Sequence, residues 1–355
     1  MFKLQTLLAS TLLVGMTALA SAADRPQTVG PKGEAPTPVA TLELTDAEVA
    51  KVAEGNYTAA FAWHELYDWS NAVARGAKDE FERLGIKVVA ETDAGFDSAR
   101  QKSDVETIMA NQPSIIVSLP IDPTTAQTVY GIARDAGVKL VFVDNAVDGF
   151  THGKDYVTVV SADLVQIGEK AARALAASMG ETGTVGYMFH DADFPVTNQR
   201  DQAFKWTIEN EFPNMEIAIE SGMTDPANAE DIARAMLSRN PDLGGIYTPW
   251  AEPALGVLSV LRQQGNDTTR VVTIDLNEPV ALDMLKGGNT AAIIADEAYS
   301  IGVYAARSAA ASLLGKSVDP FLVVDAITVG TDNVTEGWNK SMKMDPPESV
   351  AEAAK

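Results

Sequence analysis

Residues 58–90 read TAAFAWHELYDWSNAVARGAKDEFERLGIKVVA. The first six residues form an uninterrupted apolar run, as expected of a strand buried on both faces. Six residues follow, His64 to Trp69, all polar or aromatic except Leu66. From Ser70 to Leu84 the apolar positions Val73, Ala77, Phe81 and Leu84 then recur at helical spacing. Gly85 stops that pattern, and a second apolar run starts at Ile86. A strand, a loop, one amphipathic helix and another strand make a β-α-β unit, whose strands are parallel and whose crossover is right-handed.

The same unit repeats downstream. Apolar runs occupy Ser114–Leu119, Val138–Val143, Tyr156–Val160, Thr184–Phe189, Ile217–Ile219, Gly245–Thr248, Val271–Ile274, Ala291–Ala295 and Phe321–Val329, with amphipathic stretches between them. Asp122 before Pro123 reads as an N-cap with proline in the first helical position. About 270 residues of such repeats exceed one hydrophobic core, so the expected fold is α/β with two doubly wound parallel-sheet lobes. A closed eight-fold barrel is the competing arrangement. It is disfavoured because Tyr156–Val160 follows Gly149 and Gly153 without a preceding helix, which suits a crossing between lobes.

The flanks differ in character. Met1–Ala22 carries Lys3, an apolar core from Leu7 to Leu19 and small residues at Ala20 and Ala22, the pattern of a secretory signal cleaved after Ala22. Residues 23–56 are expected to form a mobile arm and a short helix. Pro26, Pro31, Pro36 and Pro38 exclude regular helix in the arm, while Thr45 and Glu48 form a capping pattern for a lid helix ending at Gly55. The chain of 355 residues has no cysteine, so neither a disulfide framework nor a lipid-modified N-terminal cysteine is available. It carries 27 Lys and Arg against 49 Asp and Glu, a balance that repels nucleic acid and anionic lipid. The expected setting is an extracytoplasmic space, with no membrane anchor.

In open parallel sheets, ligands sit at the carboxyl ends of the strands. Eight loops qualify: 64–70, 93–97, 119–124, 144–150, 190–199, 221–226, 248–253 and 275–279. None contains Lys or Arg, and only Arg200 lies near enough in sequence to contribute a cation. They do contain Glu65, Asp68, Asp122, Asp144, Asp191 and Asp275 among other acids. A crevice without positive side chains, and a ligand with no charge or a positive one, are therefore expected. Each acid also has a capping interpretation, strongest for Asp97, Asp122 and Asp225, which precede clear helices. Asp144 and Asp275 instead end the runs LVFVDN and VVTIDL, where carboxylates can accept from sugar hydroxyls. Trp69 and Trp250 fall in strand-end loops of different lobes and can stack on the C–H faces of a sugar.

Signatures of catalysis fail one by one. GETGTVG at 180–186 precedes a strand rather than following one, so it is not a dinucleotide loop. Gly315-Lys316-Ser317 lacks the earlier glycine of a P-loop, and His64-Glu65-Leu66-Tyr67-Asp68 ends in Asp where a zinc protease needs His. Three scattered histidines without cysteine make a poor transition-metal set. No enzyme activity, cofactor or metal is expected.

RGAKDEFERLGIKV (75–88), SLPIDPTTAQ (118–127), VFVDN (141–145), NQRDQAF (198–204), NPDLGGIY (240–247), VVTID (271–275) and IIADEAYSIG (293–302), in this order, resemble the type I periplasmic binding proteins of sugar ABC transporters, in the ribose-binding branch. The resemblance implies two lobes joined by a three-segment hinge, closing on a sugar and docking on a membrane permease. It implies an N-lobe of 57–160 with 297–322, a C-lobe of 161–296 with 323–335, and a C-terminal tail of 336–355. Carried over by position, Trp69 becomes the stacking aromatic, Asp144 and Asp275 the sugar-binding aspartates, and Asn198 and Asp296 further polar contacts. Asn145 replaces the arginine that follows the first aspartate in ribose binders, Asn198 stands where arginine is common, and Pro249-Trp250-Ala251 replaces an Asn-Asp pair. Ribose itself is therefore disfavoured against a polyol or another monosaccharide.

The sequence thus points to a monomeric periplasmic protein that captures a neutral monosaccharide or polyol for an ABC permease. Trp69, Asp144, Asn145, Asn198, Trp250, Asp275 and Asp296 are the principal contacts, with His64, Glu65, Asp68, Asp122 and Asp191 as a second tier. The same residues would serve a sensor or chemoreceptor input protein for a sugar or amino sugar. A secreted glycoside hydrolase would need two carboxylates facing one bond.

Overall fold

The structure is a computed structural model that describes residues 25–355, so the expected cleavage segment lies outside it. In chain order the first sheet takes β1 (Thr37–Pro38), β2 (Thr58–Trp63), β3 (Lys87–Asp93), β4 (Ile115–Ser118), β5 (Lys139–Val143) and β6 (Thr158–Ala162). The second takes β7 (Gly183–His190), β8 (Met215–Met223), β9 (Gly245–Tyr247), β10 (Arg270–Ile274) and β11 (Thr290–Asp296). The apolar run expected as one strand over 321–329 is two: β12 (Phe321–Val324) returns to the first sheet and β13 (Ala326–Val329) joins the second. Asp325 lies between them, where the chain passes from sheet to sheet.

Among the described residues, the first sheet runs β1-β12-β6-β5-β4-β2-β3, parallel throughout. The second runs β13-β11-β10-β9-β7-β8, parallel except for β13, which lies antiparallel to β11. The strand order reverses direction beside β2 in one sheet and beside β7 in the other. These are the topological switch points, where crevices open at the strand ends.

Helices α2 (Asp68–Arg83), α3 (Ser98–Met109) and α4 (Pro123–Asp135) connect the strands of the first sheet. α5 (Leu164–Ser178) carries the chain from the first sheet to the second, whose strands are connected by α6 (Pro195–Glu211), α7 (Ala229–Arg239), α8 (Ala251–Gln264) and α9 (Glu278–Leu285), and α10 (Ala298–Leu313) returns to pack on α2. Two helix pairs approach closely. A Cβ on Gly302 of α10 would stand 1.9 Å from the Val73 carbonyl oxygen, and one on Gly168 of α5 2.1 Å from the Arg200 carbonyl oxygen. Glycine at 168 thus sets how near α6, and with it Arg200, sits to α5.

The segment expected to be a mobile arm is docked. Arg25 pairs with Glu169 on α5 at 2.5 Å, the Val29 amide donates to Gln199 on α6 at 2.9 Å, and Thr28 bonds Asp163 at the first passage between sheets. Farther along, Tyr156 donates to Glu34 at 3.3 Å, and Thr37–Pro38 pairs with Leu322–Val323 as the edge strand. Its prolines exclude helix yet suit an edge strand, which leaves N–H groups unpaired on one side. A helix does form over Asp46–Ala53, closed by the Thr45/Glu48 capping box. The stretch expected as a C-terminal tail holds two short helices, Val334–Met342 and Glu348–Ala353, with Trp338 and Val350 buried.

Candidate functional site

Both switch points face one cleft, lined by residues that follow strands of both sheets. Asp144 and Asp275 occupy matching places in the two sheets, each one residue past a fully buried strand. Their amides continue the ladders, Asp144 N–H to the Val160 carbonyl at 3.0 Å and Asp275 N–H to the Ile294 carbonyl at 2.9 Å. Both then adopt the left-handed region, φ 59° and 69°, which turns the chain into the following loop. Aspartate tolerates that conformation better than most residues.

Seven of the twelve residues singled out from the sequence line this cleft: His64, Glu65, Trp69, Asp144, Trp250, Asp275 and Asp296. Trp69 Nε1 donates to both oxygens of Asp296, at 3.0 and 3.2 Å, so the aspartate at the end of β11 holds the indole of α2. Ser161 donates to Asp144 at 2.6 Å. The aromatic walls are richer than the two tryptophans: Tyr67 stacks on Trp69 with centroids 6.1 Å apart, and Phe96 lies parallel to Trp250 at 6.4 Å. Phe96 and Trp250 follow strands of different sheets, and Tyr67 reaches Asp275 at 3.5 Å, so the lobes meet across the cleft.

The other five sit elsewhere in this arrangement. Asn145 is fully buried behind the cleft, with Nδ2 directed at the Pro120 carbonyl at 3.4 Å. Asn198 turns back to the Ala192 carbonyl at 3.0 Å. Asp68 accepts from Asn277 and the Glu278 amide, both at 3.4 Å, tying one lobe to the other outside the pocket. Asp122 caps α4 by accepting from the Thr124 and Thr125 amides, as Asp97 and Asp225 cap their own helices. Asp191 is exposed on the far side of its loop.

One expectation is overturned. The cleft does hold a cation: Arg200, 7% exposed, lines it beside Asp144 and Asp275, and its Nε is enclosed without a hydrogen-bond partner. The loops contain no arginine because this one arrives from the second turn of α6. Val196, Thr197 and Arg200 share one face at i, i+1 and i+4 and all line the cleft, so helical periodicity is the signal that identifies it. Phe96, at φ 61°, had no such signal. His190, buried in the lining, pairs with Thr197 at 2.8 Å and stands edge-on to Trp250 at 5.1 Å.

Burial dominates the electrostatics. It pushes Asp144 up to about 6, against the Ser161 hydrogen bond and the Arg200 charge, and raises Asp275 and Asp296 as well. Behind the cleft, Asp201 is raised to about 7 by burial although Tyr247 donates to it at 2.5 Å, and burial raises Glu252 to about 8. Burial also holds His64 and His190 down at about 4, hence neutral. An acid raised in the folded state keeps its proton where the unfolded chain has lost it, so stability falls as pH climbs through the folded value. The histidines have the opposite sign, but their window closes near pH 6.5. Between pH 6.5 and 8 the acids act alone, and the unliganded protein is expected to lose on the order of 1 kcal/mol per pH unit for each acid still protonated. Calorimetric melting across that range checks this, and Glu252→Gln should flatten the upper part of the curve.

Among the described residues no helix is long and apolar enough to cross a membrane, and no group of three or more His, Asp or Glu side chains is placed to hold a metal ion. A family profile described as periplasmic binding protein domain matches residues 60–317. The ribose import binding protein of Bacillus subtilis is 27% identical over 247 residues, 70% of this chain and 78% of that protein. A crystal structure of an ABC transporter solute-binding protein from Agrobacterium vitis bound with alpha-D-tagatopyranose is 26% identical with TM-score 0.72, covering 79% of this chain and 96% of that one. An ABC sugar transporter subunit from Rhodobacter sphaeroides, 25% identical with TM-score 0.66, covers 77% and 98%. The profile takes in both sheets and nearly every strand end that forms the cleft, and the chain belongs to the periplasmic binding protein domain family.

Proposed function

We propose that this protein captures one neutral monosaccharide or polyol between its lobes, as a monomer in the periplasm, and delivers it to the membrane permease of an ABC transporter. The observation that carries this reading is Arg200 lining, together with Asp144 and Asp275, a cleft walled by Tyr67, Trp69, Phe96 and Trp250. A sugar hydroxyl both donates and accepts, so one ring can satisfy a guanidinium and two carboxylates together while its C–H faces meet the indoles. A carboxylate or phosphate ligand would meet three aspartates for each arginine, an unfavourable ratio in a buried site. The sugar named in the Agrobacterium vitis structure and the ribose named for the Bacillus subtilis relative support the same class. Closure does the work of capture, since a ligand that contacts both lobes favours the closed form by its differential affinity.

A thermal-shift screen against monosaccharides, polyols, amino sugars, sugar acids and sugar phosphates tests the reading. A ligand at a hundred times its Kd should add about 2.7 kcal/mol of stability. A neutral sugar or polyol is expected to give the largest shift. A sugar acid or phosphate in first place, or no shift from any compound, overturns it.

A further inference from the structure

We infer, resting on the sugar-binding reading, that the preferred ligand is a 6-deoxyhexose, a sugar with a methyl group where common hexoses carry a hydroxymethyl. Aromatic rings suffice to cover the C–H faces of a sugar, yet this cleft has a further aliphatic lining. Leu119 past β4, Ala162 at the end of β6, Leu164 and Ile167 in the first turn of α5, and Val196 at the start of α6 all line it and are at most 4% exposed. They belong to one contiguous apolar cluster, and α5 and α6 pack directly on each other.

Such a wall would still accept a hydroxyl if backbone or side-chain groups between the hydrocarbons were available. Around Leu119, Ala162 and Ile167 they are engaged elsewhere, whereas the first-turn amides of Leu164, Val196 and Thr197 donate to no described partner. The Leu119 carbonyl accepts from Gln101 Nε2 at 2.8 Å, and Gln101 Oε1 accepts from the Ile121 amide at 3.0 Å. At the start of α5, where unpaired amides would ordinarily greet a ligand oxygen, Val165 N–H donates to Thr28 Oγ1 at 3.0 Å, Gln166 N–H to Asp163 Oδ1 at 3.1 Å, and Ile167 N–H to the Asp163 carbonyl at 3.0 Å. Gln166 Oε1 accepts from the Ala326 amide at 3.0 Å. Ala162 lies in register with Val324 in the parallel ladder. On α6, the Thr197 hydroxyl donates to the Phe194 carbonyl at 3.1 Å and meets His190 Nδ1 at 2.8 Å. The docked N-terminal segment, through Thr28, is part of what closes this wall to oxygen.

A hydroxymethyl group laid against Leu119, Ala162 and Ile167 would lose its water and find no partner, whereas a methyl group would gain burial. Among the polar side chains of the lining, Arg200 Nε and His64 Nδ1 are enclosed without a hydrogen-bond partner, and Glu65, Asp144 and Asp275 line the cleft with them. The ligand therefore carries its hydroxyls on one part of the ring and hydrocarbon on another.

The test is calorimetric titration of the full purified protein with matched pairs: L-rhamnose and L-mannose, L-fucose and L-galactose, 6-deoxy-D-glucose and D-glucose, with ribose, tagatose, allose and xylitol alongside. In the pair that binds, the deoxy sugar is expected to be tighter by about 10- to 100-fold, and Leu164→Asn, if its unliganded melting is retained, should narrow that ratio. Equal or tighter binding of the hydroxymethyl partner overturns the inference, as does binding of ribose, tagatose, allose or xylitol with none of the deoxy sugars. Either result leaves the sugar-binding reading standing. The absence of binding by every sugar and polyol removes that reading and this one with it.

Discussion

Replacing Arg200 by alanine is expected to weaken ligand binding by at least about 100-fold, because it removes a buried donor set and leaves two carboxylates competing for the same hydroxyls. Lysine should not rescue it, since an ammonium cannot present the planar fork of donors that Arg200 brings to the cleft. A second readout separates this role from simple packing. The Arg200 charge lowers the pKa values of Asp144, Asp201, Asp275 and Asp296. Its loss should therefore push all four further up and steepen the fall of unliganded stability between pH 6.5 and 8. Retention of native affinity in Arg200→Ala would sink the proposed site.

The second large effect is at Asp275, where the choice of substitution decides what is learned. Asparagine keeps the shape and the tolerance of φ 69°, so Asp275→Asn should fold as well as the parent or slightly better, having removed a carboxylate that burial disfavours. Its ligand affinity should nevertheless fall about 10- to 100-fold, since an amide oxygen is a weaker acceptor than a carboxylate. Asp275→Ala should lose binding too but also melt earlier, as alanine in the left-handed region costs roughly 1 kcal/mol. Equal melting of the two variants would show that the backbone bend at this strand end is not held as described. Trp69 is a poorer probe: at 4% exposure and bonded to Asp296, its truncation would cost about 3–5 kcal/mol in folding alone.

How much of this was readable in the chain depends on whether the cause is local. The strand preceding Asp144 is all apolar because both its faces are covered, and it ends where the sheet ends; that is a local rule, and LVFVDN and VVTIDL obey it. The caps at Asp97, Asp122 and Asp225 are equally local, so the capping interpretation held for all three. Arg200 lies just beyond the 190–199 loop, and its entry into the cleft follows from the helix: first turns that face a cleft carry lining residues at helical intervals beyond the loop. The docking of segment 25–38 was not legible. Its partners, Glu169, Gln199 and Leu322–Val323, lie far along the chain, and two residues of strand pairing leave no periodic trace. Asp325 illustrates the same limit, since nothing in FLVVDAITV separates a continuous strand from two strands in different sheets.

The parallel rings of Phe96 and Trp250 belong to different lobes. When the lobes part, the indole must exchange a hydrocarbon neighbour for solvent, and its emission should shift to longer wavelength. Ligand addition should reverse the shift, and Trp250→Phe should abolish most of it. The protein thus carries an intrinsic optical gauge of its own domain motion, requiring no attached dye.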